Sequence, residues 1–109
     1  MIFVFEVHVR PGHTADAYAE AWVRASEIIQ KAPGARGTRL HRKIGDASTL
    51  LAIASWDSKA QRDAMESNPS AEVQRIIAGQ AEFVDVRVIG EFEDPEWIVN
   101  PGQEAPRAT

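Results

Sequence analysis

The sequence predicts an α+β fold in which helices cover one face of a four-stranded antiparallel sheet. Three observations predict it. Strand-like stretches rich in β-branched and aromatic residues recur at 2–10, 37–44, 50–56 and 82–92, and helical segments fill the gaps at 14–31 and 58–79. The resulting order, β-α-β-β-α-β, is the ferredoxin-like split βαβ arrangement. Finally, the stretch Leu50–Arg62 passes from a buried strand to a helix within two residues, with Trp56 at the joint. Ser58 and Gln61 have capping-box spacing, which predicts that the serine oxygen accepts the amide of residue 61 and that the glutamine reaches back to the cap.

The first strand, Ile2 to Arg10, ends at Pro11-Gly12. Phe3, Phe5, Val7 and Val9 form a wholly apolar face suited to lie beneath helices, whereas Ile2, Val4, Glu6 and His8 turn polar along the strand. His13-Thr14 opens a helix that runs to about Lys31, with Tyr18, Trp22, Ala25 and Ile29 on one stripe and Pro33-Gly34 as the stop. The next strand, Gly37 to Ile44, carries Arg39, His41, Arg42 and Lys43, the charge density of a sheet edge. Gly45-Asp46-Ala47-Ser48 reads as the hairpin turn before the buried strand Leu50–Trp56.

The second helix starts at Ser58 and breaks at Asn68-Pro69, because proline disfavours a helical residue before it. Ser70 caps a short further helix bearing Val73, Ile76 and Ile77, with Gly79 as its stop. In the last strand, Glu82 to Phe92, an apolar face of Val84, Val86 and Val88 is opposed by Phe83, Asp85, Arg87 and Ile89. The domain therefore spans 1–92. The proline-rich stretch 93–109 reads as an irregular tail, anchored through Trp97 and Ile98 and disordered at its end.

Composition bounds the function. A chain of 109 residues supports one modest core, and 44% hydrophobic with 26% charged residues is ordinary for a globular protein. The net charge of -4 argues against nucleic acid as a partner, which calls for a cationic surface. No apolar run approaches membrane-spanning length, and the N-terminus lacks the basic region of a signal peptide, so the expected address is cytoplasmic with no membrane partner. Without cysteine there is no disulfide and no thiolate chemistry, and three scattered histidines make no metal site. Phosphate loops, HExxH and nucleophile elbows are also missing from the sequence.

Two helices cover only one sheet face. The other carries Ile2, Val4, Phe83 and Ile89 among its charges, and burial against a second copy is the simplest way to cover it. The sequence thus predicts a homodimer through the open sheet face.

Val9-Arg10-Pro11-Gly12, Ala32-Pro33-Gly34-Ala35-Arg36-Gly37-Thr38 and Ala54-Ser55-Trp56-Asp57-Ser58-Lys59 together resemble the antibiotic biosynthesis monooxygenase family, over roughly residues 1 to 92. The resemblance implies a dimeric α+β barrel. That family includes cofactor-free oxygenases of phenols and quinols, haem degraders, and members of no known activity. The haem branch is disfavoured, since Glu6, Val7 and His8 stand where its members resemble one another in an asparagine, and Met65 and Arg75 where they carry a tryptophan and a histidine. The cofactor-free branch is similar at Trp56 and at Arg75, six residues after the inter-helix proline. It differs at Ala52 and Arg62, where some members place an asparagine and a tyrosine.

The resemblance implies a monooxygenase of a small phenolic or quinol aromatic, working without a cofactor in a cavity of the dimeric barrel. Such chemistry calls for a base, donors to hold an anion, and a dry aromatic-sized pocket. The base is expected on the open sheet face. First and last strands are neighbours in this fold, so Glu6 and His8 stand beside Asp85 and Arg87, with His41 on the second strand. His8 paired with Glu6 or Asp85, and His41, are the candidate catalytic groups; Trp56, Arg75 and Arg87 are the candidate substrate-binding groups. Each has a plainer role: a cross-strand charge ladder for Glu6, His8, Asp85 and Arg87, a packing anchor for Trp56, and solvated surface for Arg75 and His41. Two rival functions stand beside the oxygenase, an isomerase or cyclase on the same scaffold and a non-catalytic binding or assembly module.

Overall fold

The computed structural model describes residues 1–102, with elements β1 (Ile2–Val9), α1 (Ala15–Ile29), β2 (Ala35–Lys43), β3 (Asp46–Trp56), α2 (Lys59–Ser67), α3 (Ala71–Gln80) and β4 (Val84–Phe92). The strands form one antiparallel sheet in the order β2-β3-β1-β4. This is the ferredoxin-like α+β fold predicted, with the second helical segment divided at Asn68–Pro69. Charged β2 lies at an edge, and β1 and β4 are neighbours that pair Glu6 with Arg87 and His8 with Asp85.

Period-two alternation decides which side of the sheet meets the helices. Val7, Val9, Leu50 and Val84 are buried with Ala15 of α1, and Phe5, Tyr18, Leu40 and Phe83 pack around them. At the far end of β3, Trp56 is 2% exposed. Its backbone is held from two sides, the Trp56 amide by the Met1 carbonyl at 2.9 Å and the Asp57 amide by the Gly34 carbonyl at 2.8 Å.

Side-chain caps set the helix starts. Thr14, Ser58 and Ser70 oxygens accept the amides of Ala17, Gln61 and Val73 at 3.1, 3.2 and 3.1 Å. The capping box at Ser58 is only half made. The Gln61 carbonyl oxygen accepts the Ser58 hydroxyl at 3.0 Å, leaving the cap's backbone amide aside. Gln61 also lies over Gly34, where an added Cβ would fall 2.5 Å from its side chain and φ is +87°.

Four local readings are corrected. The β2–β3 turn is Ile44–Gly45, with Gly45 at φ 88° and Lys43 already paired with Asp46. The Asp46 carboxylate accepts from the Ser48 amide, the Ser48 hydroxyl and the Thr49 hydroxyl, so residues 47–49 form an irregularity within β3 instead of a loop. Gly79 lies inside α3, which runs on to Gln80; the amides of Ala81 and Phe83 then bond the carbonyls of Ala78 and Gln80 to end it. Phe83 precedes β4 and packs against the buried cluster and the His13 ring, centroids 4.1 Å apart, away from the open face. In the tail, residues 93–102 form no helix or strand, and Trp97 is 82% exposed and Ile98 55%. The expected anchor is therefore not made, and the disorder expected at the chain's end concerns 103–109, outside the described residues.

No helix among the described residues is long and apolar enough to cross a membrane.

Candidate functional site

The helices do not close fully on the sheet. Between them lies a cavity of about 480 Å³, floored by Phe3, Phe5, Ala54 and Trp56 and walled by residues of all three helices. Its origin lies in the connections. Lys59 reaches Asp63 on its own helix at 3.0 Å and Glu91 on β4 at 3.1 Å, which fixes the start of α2 over one end of the sheet. The break at Pro69 then turns α3 away to pack on α1. Facing residues of β4 and α3 stay open: Val86, Val88 and Ile77 are all more than half exposed and rim the cavity mouth.

The cavity is aromatic and apolar, with a few polar residues among its lining. Trp56 and Trp22 both line it, and the Trp56 indole N–H has no protein acceptor among the described residues. Tyr18 lines the α1 side, and burial pushes its phenol up to about 12, so it is a neutral hydroxyl at physiological pH. The Arg62 side chain, 12% exposed, lies with its guanidinium 4.0 Å above the Phe3 ring centroid. Its Nη1 meets Glu66 at 2.6 Å one helical turn on, and both residues line the cavity.

Of the groups singled out in the sequence, Trp56 alone reaches this cavity. Arg75 is exposed on α3. Glu6, His8, Asp85, Arg87 and His41 share the opposite, open face of the sheet, where β1–β4 and β2–β3 pairing brings them within neighbouring rows. Glu6, His8 and Asp85 have side-chain partners there. His8 Nε2 lies 3.0 Å from Glu6 and its Nδ1 3.3 Å from the Thr49 hydroxyl, which donates to Asp46 at 2.6 Å. Those bonds to the Thr49 and Ser48 hydroxyls hold Asp46 down to about 2. Asp85 turns to Arg10, 2.7 Å away, and that guanidinium holds its carboxyl below the usual carboxylate range. The carboxylate beside His8 is thus Glu6, with Asp85 engaged elsewhere.

Sequence reasoning passed over Tyr18, Trp22, Arg62 and Glu66 as site residues. The first two match core spacing, which a cavity wall shares. Arg62 and Glu66 carried a readable signal: an i, i+4 ion pair on the face of α2 that also bears Met65. Among the described residues no cluster of three His, Asp or Glu side chains could hold a metal ion.

Comparison with known proteins fits this architecture. The sequence profile of the antibiotic biosynthesis monooxygenase family matches residues 1–78. Among solved structures, a mutant of SnoaB, a cofactor-independent oxygenase from Streptomyces nogalater, superposes with a TM-score of 0.71 at 15% identity, covering 80% of this chain and 85% of that one. A protein described as an antibiotic biosynthesis monooxygenase gives 0.67 at 16% identity, covering 87% of this chain and all of the other. Rv0793 from Mycobacterium tuberculosis gives 0.63 at 15% identity, with 85% and 96% covered. At these identities the likeness is one of fold. No curated protein matches the sequence.

Proposed function

Since the chain belongs to the antibiotic biosynthesis monooxygenase family, we propose that it oxygenates a phenolic or quinol aromatic without a cofactor, in the cavity between sheet and helices. The observation that carries this reading is the cavity at Trp56: large enough for a fused aromatic system, apolar on most of its wall, and lined by Trp56, Trp22 and Tyr18. The cofactor-independent chemistry of SnoaB supports it by analogy of fold.

The chemistry asks little of the protein. Loss of a proton leaves an electron-rich phenolate, which passes one electron to dioxygen; the two radicals combine to a carbon-bound peroxide. Where that carbon keeps a hydrogen, water leaves and a carbonyl remains, so one oxygen atom enters the product and the other ends in water. Trp56 and Tyr18 line the site around the aromatic ring, and the apolar wall excludes water from the radical pair. The open sheet face is proposed as the homodimer surface, with Glu6 and His8 as part of its charge ladder and the apolar Ile2, Val4, Leu51 and Ile53 between.

Oxygen uptake with a panel of hydroquinones, followed by isotope analysis under labelled dioxygen, tests the reading. Uptake with label in the product supports it. Turnover that proceeds unchanged without dioxygen replaces it by an isomerase or cyclase, and no turnover with any member leaves a binding module. Sedimentation of the free protein as a monomer would overturn the dimer.

A further inference from the structure

Arg62 and Glu66 are the charged residues of the cavity lining, among aromatic and aliphatic walls with a few neutral polar side chains. The Trp56 N–H, the neutral Tyr18 hydroxyl and the Arg62 guanidinium all line the cavity. The one carboxylate among its lining residues is Glu66, and that group is bound to Arg62. The way Arg62 is held carries the argument. The closest approach of each carboxylate to it, Glu66 at 2.6 Å and Asp63 at 3.7 Å, is to Nη1. Its Nε and Nη2 keep their N–H groups without a protein acceptor among the described residues, although the side chain is only 12% exposed and its flat face is stacked on Phe3. A guanidinium presents five N–H donors in a fixed fork suited to paired oxygen acceptors. Here most of that fork is unspent, beside an aromatic wall.

Glu66 is placed differently. Its side chain is 60% exposed, at the solvent end of the pair. Water competes for an exposed carboxylate and rehydrates it on release, so its hold on Arg62 is weak in free energy despite the short distance. A ligand oxyanion arriving within the cavity meets the same guanidinium in a drier setting, where the attraction is stronger.

We propose that Arg62 is the specificity-determining residue of the cavity, that it selects aromatic ligands bearing an oxyanion, either a carboxylate or an ionised phenol, and that Glu66 is a place-holder which the ligand displaces. This rests on the cavity being the substrate site and names the class of substrate it takes. An aromatic frame lies along Trp56, Phe5 and Trp22 while its oxyanion takes the Nε–Nη2 side of Arg62. No bond is made or broken in the exchange.

Equilibrium binding followed by tryptophan fluorescence tests it without any need for turnover. The probes are 2-naphthoate and its neutral isostere 2-naphthamide at neutral pH, and 2-naphthol titrated through its own ionisation. The wild-type protein is expected to bind naphthoate at least about tenfold more tightly than the amide. Arg62→Met should bring the two within about twofold of each other, and Arg62→Lys, which keeps the charge and loses the fork, should fall between. Glu66→Gln should raise the preference for naphthoate over the amide several-fold. Circular dichroism of each variant establishes that it is folded, and the lysine and glutamine variants carry the test if the methionine variant is not. Tighter binding of 2-naphthol as it ionises, lost in Arg62→Lys, marks phenolate as a ligand; preference for naphthoate alone marks carboxylate. Equal affinity of the wild type for acid and amide, binding of neither, or a preference indifferent to Arg62 overturns the proposal. If the anion preference is found and no quinol consumes oxygen, the oxygenase reading falls and the Arg62 assignment stands. Oxygen uptake that is unaffected by Arg62→Lys, with no anion preference, gives the reverse.

Discussion

The two faces of the sheet are built from the same four strands by the same alternation, yet they differ in what they leave open. On the open face the acidic groups are held: Glu6 by His8, Asp85 by Arg10, Asp46 by Ser48 and Thr49. On the covered face Trp56, Tyr18 and the Arg62–Glu66 pair line a cavity that the protein itself does not fill. Paired charges on an exposed sheet contribute little to stability and have little left to offer a ligand. Unfilled space beside aromatic rings is what a binding site needs. The lesson is that chemistry-bearing residue types point to the first face, while unfilled space points to the second.

The sharpest way to break this contrast is Trp56→Ala. Removing a large side chain that is 2% exposed should cost about 3–5 kcal/mol in chemical denaturation and weaken any aromatic ligand. A cost near zero would mean that Trp56 is not seated as described. Next in size is Ser58→Ala. It removes the acceptor for the Gln61 amide at the start of the helix that carries Arg62 and Glu66. The expected loss is about 1 kcal/mol, with weaker ligand binding as α2 frays. On the open face, His8→Ala should change stability by less than about 1 kcal/mol and leave ligand binding and oxygen uptake as they were. A large loss of uptake would return the chemistry to the open face.

Two titrations sharpen the comparison through single groups. Tyr18 is the chain's one tyrosine, so ultraviolet titration reads it directly, and the midpoint should lie at about 12 in the folded protein. A pKa raised by folding contributes stability that is complete below the ordinary tyrosine value of about 10 and is lost as pH rises through the folded value. Tyr18→Phe should therefore flatten the alkaline limb of a stability profile. Asp46 runs the other way. Its pKa, lowered to about 2, contributes stability present above the ordinary aspartate value and lost as pH falls through the folded one. Asp46→Asn should remove that acid-side slope and leave the alkaline side untouched; an unchanged acid limb would contradict the hydrogen bonds to Ser48 and Thr49.

What the sequence determined by itself is the class of fold and the starts of its helices. Alternation along Ile2–Val9 and Val84–Val88, the caps at Thr14, Ser58 and Ser70, and the break at Pro69 are local properties, fixed by side-chain direction, amide satisfaction and the missing N–H of proline. The neighbouring of Glu6 and His8 with Asp85 and Arg87 followed from topology alone. Tertiary structure decided where the space is. Whether Tyr18 and Trp22 fill a core or line a cavity depends on how far α2 and α3 stand from the sheet, and no residue's own pattern records that distance. The same holds for Arg62, whose i, i+4 partner is visible in the chain while its ring partner Phe3 lies 59 positions away in sequence and becomes its neighbour only when α2 folds over β1. Local rules read one element at a time; a cavity is the gap left between several.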